Sequence, residues 1–190
     1  MVFIRKFFFV FILSKLAKTK KNLSFNELNF KKLDFTNYKQ IKSFIFKKNF
    51  FNLKNKYVQS FDFLNFSRNL GGEIGINLSR NTILSWYKKN RYKISFPWSE
   101  DLSSRRLINI IYNFEFINSS ATNMESKILY KLLILHMNRV IFDFNIKKVN
   151  QITSYDLVAY ILSAFILNKK TNKSIQYLDL VITLQIDNLG

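Results

Sequence analysis

The chain has no cysteine, one proline, one histidine and four glycines among its 190 residues. Without cysteine there is no disulfide framework, thiolate metal site or thiol nucleophile. An imidazole zinc centre needs several histidines, and His136 stands alone. Acidic residues are scarce too: 12 Asp and Glu face 30 Lys and Arg, a formal net charge of +18. That imbalance argues against an ordinary enzyme and makes a polyanion the first expected partner. No catalytic residue, cofactor, metal or small-molecule substrate is expected. Nor does any apolar run approach the roughly 20 residues that span a bilayer. The best two, Phe7 to Leu13 and Leu157 to Leu167, fall well short, so no transmembrane segment is expected.

What is present is apolar bulk. Hydrophobic residues make up 48%, with 21 Phe and 9 Tyr, enough to bury a core despite the charge. Lys, Asn, Phe, Ile and Tyr share A/T-rich codons, whereas Ala, Gly, Pro and Arg, all scarce here, do not. This is a coding bias that fits an organellar genome and carries no functional meaning. The start, Arg5-Lys6 followed by Phe7, Phe8, Phe9, Val10 and Phe11, superficially resembles a secretory signal. It lacks a small-residue cleavage site, and Lys15, Lys18, Lys20 and Lys21 follow, so an anchoring or RNA-penetrating tail is expected instead.

The charge is concentrated. Residues 1–60 carry 14 basic and 2 acidic residues, a net of +12, while 61–100 and 101–190 add +3 each. Lysines neutralise phosphates and release counterions, and such a field repels itself unless a polyanion compensates it. The interleaved aromatics, Phe25 to Tyr57, read mainly as core. Residues 1–97 form one basic, aromatic-rich, partly extended region in this reading, with Gly71-Gly72-Glu73-Ile74-Gly75 as a loop, since no Gly-Lys-Ser/Thr follows to make a phosphate cradle. Pro97 marks a boundary.

Beyond it, Leu107, Ile110, Ile111 and Phe114 form one helical stripe, with Ser99 or Ser103 as cap. Thr122-x-x-Glu125 matches a capping box ahead of a second stripe, Met124, Ile128, Leu132 and Leu135, with Lys127 and Lys131 on another face. Phe142 and Phe144 alternate with Ile141 and Asp143, so a basic β-hairpin turning at Asn145-Ile146 and returning through Lys147-Lys148 is expected. Residues 159–190 are assigned a helix and a strand, the latter from the alternation of Leu178, Leu180, Ile182, Leu184 and Ile186. The fold class expected is α+β. His136 reads as a packing or C-cap residue.

Arg106-Leu107-Ile108-Asn109-Ile110-Ile111-Tyr112-Asn113-Phe114-Glu115-Phe116 resembles the R-L-D-N-V-V-Y-R-L-G-F signature of the small-subunit ribosomal protein four family. Phe144-Asn145-Ile146-Lys147 falls where that family has V-N-G-K, and Val149-Asn150-Gln151-Ile152-Thr153-Ser154-Tyr155 is similar to V-N-I-P-S-Y with one insertion. The likeness covers residues 98–158. The family's Asp is Ile108 here, its turn glycine Ile146 and its proline Thr153, and its His-Gly pair is absent. What the resemblance implies is an RNA-binding module of two short helices and a hairpin. In the full family it also implies a structural role in early assembly of the small ribosomal subunit.

On that reading Arg105, Arg106, Lys127, Lys131, Arg139, Lys147, Lys148 and Tyr155 contact small-subunit rRNA in a mitochondrial ribosome, beside neighbouring ribosomal proteins. Recognition is of shape and backbone. Reversing the charge of Arg105 and Arg106 is expected to weaken binding without unfolding the module. The alternative is a matrix-side accessory subunit of a respiratory membrane complex. An RNA-modifying enzyme would need a catalytic Asp in a further domain, and a ribosomal protein of another family is the remaining rival.

Overall fold

A computed structural model describes residues 56–93 and 96–167. Of these, 83% are helical, and no strand occurs among them. The α+β expectation is thereby corrected to an all-α fold. The basic stretch 1–55 and the expected strand at 177–186 lie outside the described residues.

The chain forms α1 (Lys56–Gln59), α2 (Phe63–Leu70) and α3 (Gly72–Asn90), then a 3₁₀ turn at Phe96–Trp98. There follow α4 (Glu100–Tyr112), α5 (Phe114–Asn118) and α6 (Asn123–Ile146), a 3₁₀ turn at Val149–Gln151, and α7 (Ser154–Ile166). The glycine run is not a loop. Gly71 and Gly72, at φ 66° and 61°, turn the corner between α2 and α3 in a region that favours glycine. Gly75 lies inside α3, where a Cβ would stand 2.5 Å from the Ser67 carbonyl oxygen, so its bareness lets the two helices close on each other.

The expected stripe is buried but crosses a helix break at Asn113: Leu107, Ile110 and Ile111 in α4 and Phe114 at the start of α5 are at most 3% exposed. Ser99 occupies the N-cap position without a side-chain cap bond, and Ser103 instead donates to the Ser99 carbonyl at 3.1 Å. The capping box that opens α6 is formed: the Thr122 hydroxyl accepts from the Glu125 N–H, and the Glu125 carboxylate accepts from the Thr122 N–H. Met124 is nevertheless exposed, whereas Leu132 and Leu135 face the core.

α6 does not stop at Met137. It runs through the expected hairpin to Ile146, because Leu133, Met137, Val140 and Phe144 keep one face apolar at helical spacing. No glycine or proline interrupts 138–146. A β-turn at Asn145-Ile146 would have asked isoleucine for a positive φ, and the chain avoids it by staying helical until Lys147 turns extended (φ −72°, ψ 145°). A second capping box, Thr153 with Asp156, starts α7.

α4, α6 and α7 pack against one another, and α3 joins them, with α2 packed against both α3 and α4. The core is continuous across Pro97: Val58, Phe61, Phe63, Leu64 and Trp86 share one cluster with Trp98, Leu107, Leu129, Leu133 and Ala159. Full burial of each such side chain is worth about 1.5–3 kcal/mol. A smaller cluster locks the end of α6 to α7, where the Phe144 and Tyr160 rings stack 4.2 Å apart. No helix among the described residues is long and apolar enough to cross a membrane.

Candidate nucleic-acid interface

Three of the cations expected to hold RNA are inside the protein. Arg106 is fully buried, its guanidinium carbon 4.1 Å from the Trp86 ring centre, 5.3 Å from Phe61 and 5.4 Å from Trp98. Its Nε donates to the Gln59 carbonyl at 2.5 Å, and Nη2 donates to the Pro97 carbonyl. Nη1 faces His136 Nε2 at 3.4 Å. Since a guanidinium only donates, Nε2 accepts, and His136 carries its proton on Nδ1, which donates to the Leu132 carbonyl at 2.8 Å. Burial, and after it the charges of Arg106 and Arg139, hold His136 well below the ordinary histidine value. Arg106 is lowered for the same leading reason, burial, with Arg139 adding to it. A guanidinium is not deprotonated in proteins, so Arg106 remains a cation.

Arg139 lies over the Trp98 ring at 4.4 Å and pairs with Asp143 at 3.7 Å, both side chains under 8% exposed. Lys147 is bound at 2.6 Å to Asp156, each side chain 4% exposed. Asp156 also accepts from the Ser104 hydroxyl at 2.5 Å and from the Thr153 N–H and hydroxyl. Burial pushes the Asp156 carboxyl up, but the bonds from Lys147, Ser104 and Thr153 outweigh it and hold the group below its usual range. A buried side chain cannot reach a phosphate, so the RNA roles expected for Arg106, Arg139 and Lys147 are corrected: they tie α4, α6 and α7 together.

The other expected residues are at the surface but not in one place. Arg105 pairs with Asp62 at 2.9 Å and lies 5.3 Å over the ring of Tyr155, which is 47% exposed. Lys148 follows α6 on the same end of the bundle. Lys127 and Lys131 are exposed near the opposite end of α6, roughly 28 Å of helix from Lys127 to Ile146 at 1.5 Å per residue. The hairpin that would have joined these groups into one face is absent among the described residues.

The matched residues of the family-like segment have structural work in this fold. Arg106 fills the aromatic cage, Leu107 the core, and the Asn109 amide donates to the Ser60 carbonyl at 2.9 Å and to Asp62 at 2.8 Å. Arg80, a further buried arginine, joins α3 to the α5–α6 connection, donating to Ile117 O at 3.0 Å and lying 3.8 Å from Glu125. A further cluster lies at the end of α3, where Tyr87, Lys88, Lys89, Arg91, Tyr92 and Lys93 follow one another without a recognisable motif. Its signal was the absence of any Asp or Glu from Ile74 to Ser99. No group of three or more metal-ligating side chains occurs among the described residues.

No family model matches the chain, and no curated protein and no solved structure matches it either.

Proposed function

We propose that the chain is an RNA-binding structural constituent of the small subunit of a mitochondrial ribosome, acting by phosphate neutralisation and not by catalysis. The observation that carries this reading is a division of labour among the cations. Arginines 80, 106 and 139 and Lys147 are consumed inside the fold, whereas Lys88, Lys89, Lys93, Lys127, Lys131 and Lys148 remain exposed. The basic residues of the first 60 positions come on top of these, bringing the net charge to +18. A field of that size calls for a polyanion. The A/T-biased composition supports the organellar setting, and the Arg106-to-Tyr155 resemblance supports the small subunit through its residue pattern alone, without the hairpin.

The test is a sucrose gradient of organelle lysate carrying the tagged full chain, run at low and high salt. Co-sedimentation with the small subunit at low salt is expected. Recovery with the membrane pellet would favour the respiratory-complex reading, and recovery with the large subunit would also overturn the proposal.

A further inference from the structure

We infer that the turn closing α3, Tyr87 to Lys93, is a contact for unpaired RNA that stacks a base on Tyr92 and holds the flanking phosphates with Lys88, Lys89 and Lys93. This deepens the RNA-binding reading above and rests on it. Lys88, Lys89 and Lys93 are exposed, and Tyr92 leaves 57% of its surface open. The helix dipole accounts for Lys88 and Lys89 in the last turn of α3. It accounts neither for Lys93, which lies beyond that turn, nor for an aromatic ring left in water.

Arg91 lies 4.6 Å from the Tyr92 ring centre and 5.6 Å from that of Tyr87. One face of Tyr92 is therefore backed by a guanidinium, and the exposed part of the ring offers a platform on which a base would extend the stack. The platform is held in place from beneath. The Asn90 carbonyl accepts from the Lys93 N–H at 2.9 Å and from the buried Trp98 indole at 2.6 Å, and the Arg91 N–H donates to the Tyr87 carbonyl at 3.0 Å. Little order remains to be imposed on binding.

An exposed ring beside several cations suits a single strand, since bases of an A-form duplex offer no open face to stack on. Because phosphates alone do not explain the ring, a polyanion without bases separates the two contributions. The experiment titrates the full chain into a short labelled oligouridylate, a duplex RNA of equal length and heparin, following fluorescence anisotropy. Tyr92→Ala is expected to weaken oligouridylate binding about 5- to 150-fold, the range of base–aromatic stacking. Tyr92→Phe is expected to bind like the wild type, and heparin binding is expected to be unchanged by either. Lys88→Gln/Lys89→Gln/Lys93→Gln is expected to lower the slope of log affinity against log salt by about 2, at roughly 0.7 per phosphate contact. Equal losses for heparin and oligouridylate in Tyr92→Ala, or none, would overturn the stacking contact. A triple variant that binds as the wild type while Lys127→Gln/Lys131→Gln does not would refute this patch and leave the RNA-binding reading standing. A wild-type chain that binds neither RNA would sink both. Unchanged circular dichroism in the Phe and Gln variants keeps misfolding out of the comparison.

Discussion

The guanidinium of Arg106 lies 4.1 Å above the Trp86 ring, with no solvent access. A charge of that kind is tolerated because each polar direction is met: Gln59 and Pro97 carbonyls, the His136 imidazole, and three aromatic faces. Arg106 therefore belongs to folding and not to ligand binding.

Arg106→Met is expected to destabilise the protein by about 1–3 kcal/mol by leaving the buried Gln59 and Pro97 carbonyls without a donor, and Arg106→Lys to recover little, because an ammonium cannot donate in two fixed directions and stack. Urea denaturation of the variants measures this. Arg106→Glu is expected to abolish the cooperative transition, whereas Arg105→Glu, on an exposed side chain, is expected to stay folded. The expectation that charge reversal spares the fold is therefore not carried over to Arg106, which is fully buried.

His136 couples this core to pH. In the unfolded chain it titrates near the ordinary 6.5, and in the folded chain well below, so the unfolded state binds the extra proton first. Its contribution to stability is complete above pH 6.5 and falls as pH drops, by up to about 1.4 kcal/mol per pH unit until the folded value is reached. Urea midpoints taken from pH 7 to 5 should decline in the wild type and flatten in His136→Gln. Equal slopes in the two proteins would contradict the buried neutral imidazole.

The Lys147–Asp156 pair makes a separate prediction. Asp156→Asn leaves an ammonium 4% exposed without its counter-charge and is expected to cost about 3 kcal/mol. Pairing it with Lys147→Met should recover part of that loss. Because the folded carboxyl lies below its ordinary 3.8, its contribution is present above that value and is lost as pH falls through the folded one. A second acid decline, below the histidine one, should therefore vanish in Asp156→Asn.

Local signals are also open to test. Thr122→Ala removes the hydroxyl that accepts from the Glu125 N–H and should cost about 1 kcal/mol in thermal or urea unfolding. Gly75→Ala puts a methyl 2.5 Å from the Ser67 carbonyl oxygen and should cost about 1–3 kcal/mol by forcing α2 and α3 apart. A neutral Gly75→Ala would mean that the corner is looser than this geometry.

The helical stripe of α4 and the capping box of α6 were legible because both are local: spacing along one helix and a bond across one turn. The second box, Thr153-x-x-Asp156, is equally local, but it overlaps the family-like Thr153-Ser154-Tyr155 segment. The hairpin failed on an ambiguity of period. Ile141 to Phe144 alternates like a strand, yet Met137, Val140 and Phe144 continue a helical face, and only a partner surface decides between them. That surface is Leu157 and Tyr160 of α7.

Composition, charge and capping chemistry follow from the residues alone: the excess of cations, the lack of thiol and multi-histidine metal ligands, and where helix α6 begins. Which cations face water was decided by the tertiary structure. Arg106, Arg139 and Lys147 look like any other basic residues in the sequence, and only the packing of Trp86, Trp98 and Asp156 against them makes burying them cheaper than leaving them out. Burial of a charge depends on partners that linear order does not reveal.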